Sequence, residues 1–537
     1  MAGNGTIAKS RFLDDSGVRT LLVATALALI AWLVYRPDRD RPPPIVDFAE
    51  FLPLLNTNAD WWSRVQALTD YYAQQGRVNV LPYVLLATKW SLWEWSAPAW
   101  QVARAGLMYL VVLLTYQLLR RLRVTPMGAL AGASLFLWAP AASDGWVHLT
   151  MAEPLAVVLA LAASLRATRF SESRRWRLDV GLIASACTAV VLTKELLAPL
   201  VLLPVTVALC RRPDGTLDLP VRNRRNVMLV SVVGGATAAA MALVLVIHLT
   251  SPSSGYSSLY GLTPMSVLPL LAIWVTAFLP FDAIPAGPDA FWAASVLALF
   301  VLIGLGLRLA LVDPDHRRGN LVLLGLSLLL PLVGVMVYVP NPWFSRFYLL
   351  PYLVGPALVL GLAFTYVEAH VLRGRGLVLG GWAVMSLYAI AGAMNLAART
   401  DAAQRRDAGV VSVVSRVEGA GRVLFATSQP PRPEWRASEK LTGAPRGLGV
   451  TLSRFAAATH RPWPPTHDVS CREAATELAR SRSDLVVINL QATCPMDFGQ
   501  EAIVFRYTAI DLQRLSLVRD SAHARIFLPE SGNPVQP

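Results

Sequence analysis

Apolar runs long enough to cross a lipid bilayer recur along residues 1–399, and short arginine clusters separate them. A membrane-spanning helix needs roughly 20 mostly apolar residues. Runs of that kind lie at 18–35, 102–119, 127–142, 151–166, 178–193, 196–210, 227–249, 291–311, 320–339, 347–371 and 376–396, so eleven spans are expected. A further run, 264–280, is read as a re-entrant or surface-lying helix, because a crossing there would put Arg317 and Arg318 on the wrong side. Composition agrees: 54% of residues are hydrophobic, 15% are charged, and the mean hydropathy is +0.47. So little charge cannot cover so much apolar surface in water. The fold class expected is a polytopic α-helical membrane protein.

The net charge is +13, and its placement excludes a nucleic-acid partner. The excess lies in Arg120, Arg121 and Arg123; Arg166, Arg169, Arg174, Arg175 and Arg177; Arg211, Arg212, Arg222, Arg224 and Arg225; Arg317 and Arg318; and Arg373 and Arg375. Each group falls between apolar runs, the positive-inside pattern of a multispanning protein. The loops at 120–125, 167–177, 211–226, 312–319 and 372–376 are then cytoplasmic, as is the N-terminus. The segments 36–101, 143–150, 250–290 and 340–346, and everything after 397, lie outside. A plasma membrane, the inner membrane of a bacterium, is the expected location. The first run follows Lys9, Arg11 and Arg19 but has no Ala-x-Ala-like exit, so it is kept as a span rather than a cleaved signal.

Residues 36–101 form a long first outer loop, rich in Trp61, Trp62, Trp90, Trp93, Trp95, Trp100, Tyr71, Tyr72 and Tyr83. Such residues favour the headgroup zone, and two short amphipathic helices lying on the membrane are expected. From residue 400 long apolar runs vanish and charge rises. Segments 422–427 (RVLFAT) and 484–490 (DLVVINL) read as buried strands, 526–528 as the end of another, and 474–480 as helix. A membrane domain over 1–399 and a small extracytoplasmic α/β domain over 400–537 follow. No glycine-rich loop follows either strand, so no nucleotide is assigned. Cys187 and Cys210 sit in apolar runs as packing residues, whereas Cys471 and Cys494 are a disulfide candidate in an oxidising compartment. No Cys/His cluster suggests a metal site.

Ionisable groups at a membrane are costly, so each is a functional candidate. Asp47 and Glu50 follow the first span and share a face if their segment is helical; they can act as a base, hold a metal, grip sugar hydroxyls, or serve the helix macrodipole. Asp144 and His148 sit in a short outer loop, where His148 also reads as an interfacial histidine, and Glu153 begins the next span, where Glu153–Pro154 also suits a first helical turn. Lys194 is set to neutralise a phosphate or to snorkel to the headgroups. Arg346 is the basic residue of its outer loop and calls for a phosphate or a carboxylate partner. The charge-derived topology puts Asp47, Glu50, Asp144, Glu153, Lys194 and Arg346 on one face.

The acid-bearing first loop and the segments TMAEPLAVVLALA, VLTKELLAPLVLLP and SRFYLLPYLVGPAL resemble the GT-C glycosyltransferases, in particular the protein mannosyltransferase and aminoarabinose transferase branch. The resemblance implies a polyprenyl-phosphate sugar donor loaded from the bilayer and a glycan, lipid or protein acceptor. Asp47 would match the base, Lys194 and Arg346 the groups near the lipid phosphate, and Glu153 an acid that orders the site. Asp144 and His148 are substrate-binding candidates from their place in the outer loop alone. The first-loop acids are spaced Asp-x-x-Glu rather than adjacent, which leaves open which of them is the base and whether a divalent metal is held. Two rival readings stand. A transporter or lipid flippase would want paired broken helices and mid-membrane charges, which are few here, and a non-catalytic scaffold would keep the fold alone.

Overall fold

The structure is a computed structural model that describes residues 15–35, 54–55, 58–74, 76–94, 96–147, 152–211, 223–250, 278, 288–312, 317–338, 346–371 and 373–394, and the strand residues 422–427, 466–470, 485–489, 515–520 and 524–529. The chain divides into two compact units, Met1–Pro44 with Leu68–Ala397, and Ile45–Ala67 with Ala398–Pro537.

The first unit is helical. Its helices are α1 (Asp15–Val34), α2 (Trp61–Gln74, which begins in the other unit), α3 (Val80–Trp93), α4 (Ala97–Arg121), α5 (Pro126–Trp138), α6 (Pro140–Val147), α7 (Ala152–Ala167), α8 (Trp176–Thr193), α9 (Leu202–Cys210), α10 (Arg224–Thr250), α11 (Pro288–Val312), α12 (Arg317–Tyr338), α13 (Val354–His370) and α14 (Gly374–Met394). Among the described residues six helices are long and apolar enough to cross a membrane, those over Pro98–Arg121, Trp176–Thr193, Arg224–Thr250, Arg317–Gly334, Tyr348–His370 and Gly374–Met394. The runs at 18–35, 127–142, 196–210 and 291–311 appear as shorter apolar helices. The run at 264–280 lies outside the described residues, apart from Phe278.

Prolines explain where the expected spans break. The run 127–142 ends as α-helix at Trp138, and a new helix starts at Pro140, whose fixed φ suits a first position and whose ring disfavours a helical residue before it. The run 196–210 opens as a 3-10 helix, Glu195–Val201, with Pro199 inside, and turns α-helical only at Leu202. The run 347–371 likewise opens as a 3-10 helix, Arg346–Leu353, around Pro351.

Burial separates central from peripheral spans. Within the Tyr348–His370 span 78% of an 18-residue apolar stretch is buried, against 17% of such a stretch in Arg224–Thr250 and 22% in Gly374–Met394. The peripheral helices turn Val230, Leu243, Leu245, Val246 and Leu249, and Leu377, Leu379, Val384 and Leu387, outward. Apolar faces this extensive are stable against lipid rather than water, and the protein is an integral membrane protein. Helix α13 packs on α5, α11 and α12, and α4 packs on α1, α5 and α7.

The two short helices expected in 36–101 are α2 and α3, but α3 does not lie loose on a surface. It buries Pro82, Tyr83, Leu86, Ala87, Lys89 and Trp90 and packs on α4, α7 and α8, because both its faces are apolar.

In the second unit five strands, β1 (Arg422–Thr427), β2 (Thr466–Ser470), β3 (Leu485–Asn489), β4 (Leu515–Asp520) and β5 (Ala524–Pro529), form one sheet in the order β2-β1-β3-β5-β4. β1 pairs in parallel with β2 and β3, β3 in parallel with β5, and β4 runs antiparallel at the edge. Three strands overlap the expected segments at 422–427, 484–490 and 526–528, and continuous apolar runs such as LVVIN suit a parallel sheet. The helix expected at 474–480 and both Cys471 and Cys494 lie outside the described residues.

Candidate active site at the ends of an α-hairpin

Helices α7 and α8 form an antiparallel hairpin that an ion pair closes at each end. At the turn end, Arg166 in the last turn of α7 donates from Nε to Asp179 Oδ1 at 2.6 Å, and Asp179 lies in the first turn of α8. At the open end, Lys194 Nζ donates to Glu153 Oε1 at 2.7 Å. Glu153 occupies the first turn of α7 and Lys194 is the residue that caps α8. All four charges thus complement the macrodipoles of their own helices, acids at N-termini and bases at C-termini.

The open end carries more than a clasp. The Lys194 side chain is 15% exposed and that of Glu153 4%, so the lysine turns inward instead of snorkelling. Its ammonium also lies 4.0 Å from the centre of the Tyr348 ring, a cation–π contact. The backbone at Lys194 is extended, which breaks α8 and begins the 3-10 helix Glu195–Val201. The 3-10 helix Arg346–Leu353 is held there by the Tyr352 hydroxyl, which donates to the Leu196 carbonyl at 2.7 Å. Beside these groups, Glu195 has a buried Oε2 with no hydrogen-bond partner. A carboxylate, an ammonium and an aromatic face thus meet at the open end of the hairpin.

The other candidates fall as follows. The 3-10 helix that starts at Arg346 packs on α6, the helix that contains Asp144, and on α7, so the backbones of Asp144, Glu153, Lys194 and Arg346 come from neighbouring elements. The side chains of Asp144 and Arg346, and all of Asp47, Glu50 and His148, lie outside the described residues. Among the described residues no group of three or more His, Cys, Asp or Glu side chains comes together to hold a metal. Cys187 and Cys210 are buried.

Two buried cations are not among the groups singled out by sequence. Arg104 in α4 is 1% exposed and donates to the Trp146 carbonyl at 3.1 Å, to the Tyr35 carbonyl and to Gln101 Oε1. It ties the end of α1 to the end of α6. Lys89 in α3 is 5% exposed, its ammonium 5.6 Å from the centre of the Trp100 ring, and burial pushes its pKa down to about 8. The signal for Arg104 was a lone arginine inside an apolar run.

No family model matches the chain, and no curated protein matches it. Solved structures similar to it include an arabinofuranosyltransferase and an oligosaccharyltransferase. A mutant form of arabinofuranosyltransferase AftD from Mycobacteria is 17% identical, with a TM-score of 0.44 over 84% of this chain and 33% of that one. ArnT from Cupriavidus metallidurans is 14% identical, with a TM-score of 0.49 over 87% of this chain and 96% of that one. The oligosaccharyltransferase AglB from Archaeoglobus fulgidus is 11% identical, with a TM-score of 0.39 over 83% of this chain and 64% of that one. The chain therefore spans about a third of AftD and nearly all of ArnT. At these identities and TM-scores the likeness carries no activity over to this chain.

Proposed function

We propose that this protein is a membrane glycosyltransferase that moves a sugar from a polyprenyl-phosphate donor to a glycan, lipid or protein acceptor at the outer face of the membrane. One observation supports this reading above the rest. The three GT-C-like segments, remote from one another in the chain, each contribute one residue to a single contact: Glu153 from the first, Lys194 from the second and Tyr348 from the third.

The chemistry follows from those groups. The bond from the anomeric carbon to the phosphate oxygen breaks, and a bond from that carbon to the acceptor oxygen forms. The acceptor proton passes to a carboxylate of the first outer loop, Asp47 or Glu50. The electron pair leaves with the polyprenyl phosphate, whose charge Lys194 and Arg346 stabilise as it develops. Glu153 holds the lysine in place and keeps a buried ammonium neutralised until the phosphate arrives. Such a lysine, inward-facing and shared between a carboxylate and an aromatic ring, is preorganised for an anion.

Purified protein incubated with labelled polyprenyl-phosphate sugars tests the reading. Transfer of label to an acceptor is expected, with loss of about 10²-fold or more in Lys194→Ala and in Asp47→Asn, while both variants still insert and fold. Absence of transfer with every donor, in folded protein, would favour the scaffold reading. Full activity in Lys194→Ala would remove the lysine from the site.

A further inference from the structure

The opposite end of the same hairpin carries a second arrangement. Helix α8 begins with Trp176 and α10 with Arg224, and the two helices pack along each other. The guanidinium carbons of Arg177 and Arg225 lie 5.6 and 5.7 Å from the centre of the Trp176 ring. Arg225 is fixed further, donating from Nη1 to the Ser171 carbonyl at 3.2 Å. Arg174, Arg175, Arg177 and Arg224 are exposed.

Immediately along the same two helices the surface changes. Leu178 and Leu182 on α8 and Val227 and Val230 on α10 are 52%, 48%, 49% and 47% exposed. An apolar face meant for lipid thus gives way within a turn to exposed arginines and a tryptophan, the composition of the headgroup level. Charge balance sharpens the point. Residues 166–179 with 224–225 hold Arg166, Arg169, Arg174, Arg175, Arg177, Arg224 and Arg225 against only Glu172 and Asp179. Asp179 is already taken by Arg166. Arg177 and Arg225 thus bring two guanidiniums to one ring, and a bound anion offsets the positive charge gathered there.

The geometry points to a binding site for an anionic phospholipid, with its phosphate between Arg177 and Arg225 at Trp176 and its acyl chains along Leu178, Leu182, Val227 and Val230. A guanidinium pair grips phosphate oxygens bidentately, and the apolar strip beside it selects a phosphate that carries chains over a free ion. This site is separate from the Glu153–Lys194 contact and does not depend on the proposed transfer.

Full-length protein in nanodiscs of equal phosphatidylglycerol and phosphatidylcholine, with bound lipid read by native mass spectrometry, tests the assignment. Phosphatidylglycerol is expected to be enriched on the protein, more so at low salt. Arg177→Gln with Arg225→Gln is expected to lower the enrichment roughly fivefold per arginine, while Arg375→Gln leaves it unchanged. The thermal midpoint reports folding. Should the double variant not fold, Arg177→Gln alone carries the test, since Arg177 lies on the outside of the bundle. Undiminished enrichment in a folded variant overturns the site. Displacement of the lipid by an equal concentration of inorganic phosphate overturns the lipid assignment.

Discussion

A four-carbon stem gives Lys194 two places for its charge, the headgroup layer or the protein interior. It takes the interior, where Glu153 and the Tyr348 ring receive it. Removing one partner leaves the other charge buried and alone. Lys194→Met should therefore cost about 3–5 kcal/mol, and Glu153→Gln combined with Lys194→Met should recover most of that loss. A double-mutant cycle on thermal unfolding in detergent measures this coupling, and additive costs would mean that the contact is not made. Lys89 offers a pH test. Its folded pKa, about 8, lies below the ordinary 10.5, so the unfolded chain binds more protons between those values. Stability should then rise with pH across that window, by up to about 3 kcal/mol, and Lys89→Met should abolish the rise. Equal pH profiles for the two proteins would contradict the burial of the ammonium. Lys194 and Glu153 were legible in the sequence as costly charges at span ends. Their pairing was not, because 41 residues separate them and only the hairpin geometry brings them together.

Elements meet where small residues let them. Helix α5 presents Gly128 and Gly132 to α13, and a Cβ at either would fall 2.6 Å from the carbonyl oxygen of Gly361 or Ala357. Small residues four apart on both helices permit this close approach, the packing mode of membrane helices. Gly132→Ala should destabilise by about 1–3 kcal/mol through overpacking. Gly181→Ala on α8, with nothing within 4 Å of the new Cβ, should be neutral or gain up to about 1 kcal/mol in helix propensity. Thermal midpoints of the two variants check the contrast, and equal effects would contradict the packing. Hydropathy read the helices well because lipid enforces one simple rule. It placed the break at Lys194 but missed the one at Ala139 and the 3-10 openings of the runs at 196–210 and 347–371, since a window over apolar residues is blind to the prolines at 140, 199 and 351. The spacing Gly128-x-x-x-Gly132 carried a packing signal that hydropathy does not weigh.

At the largest scale, the helical unit has two chemically distinct ends. One gathers Glu153, Lys194, Glu195 and Tyr348 with the elements that bear Asp144 and Arg346; the other gathers the arginines around Trp176. Charge clusters in the sequence anticipated this polarity, because flanking basic residues are counted in one dimension. The depth and neighbours of each acid were beyond such counting. The central claim is that a lipid phosphate binds where the three GT-C-like segments meet. A cryo-EM map of the full-length protein with a polyprenyl phosphate tests it most directly. The expected result is phosphate density within hydrogen-bond reach of Lys194 Nζ, beside Tyr348. Phosphate density elsewhere, with the Glu153–Lys194 pair undisturbed, would contradict the claim.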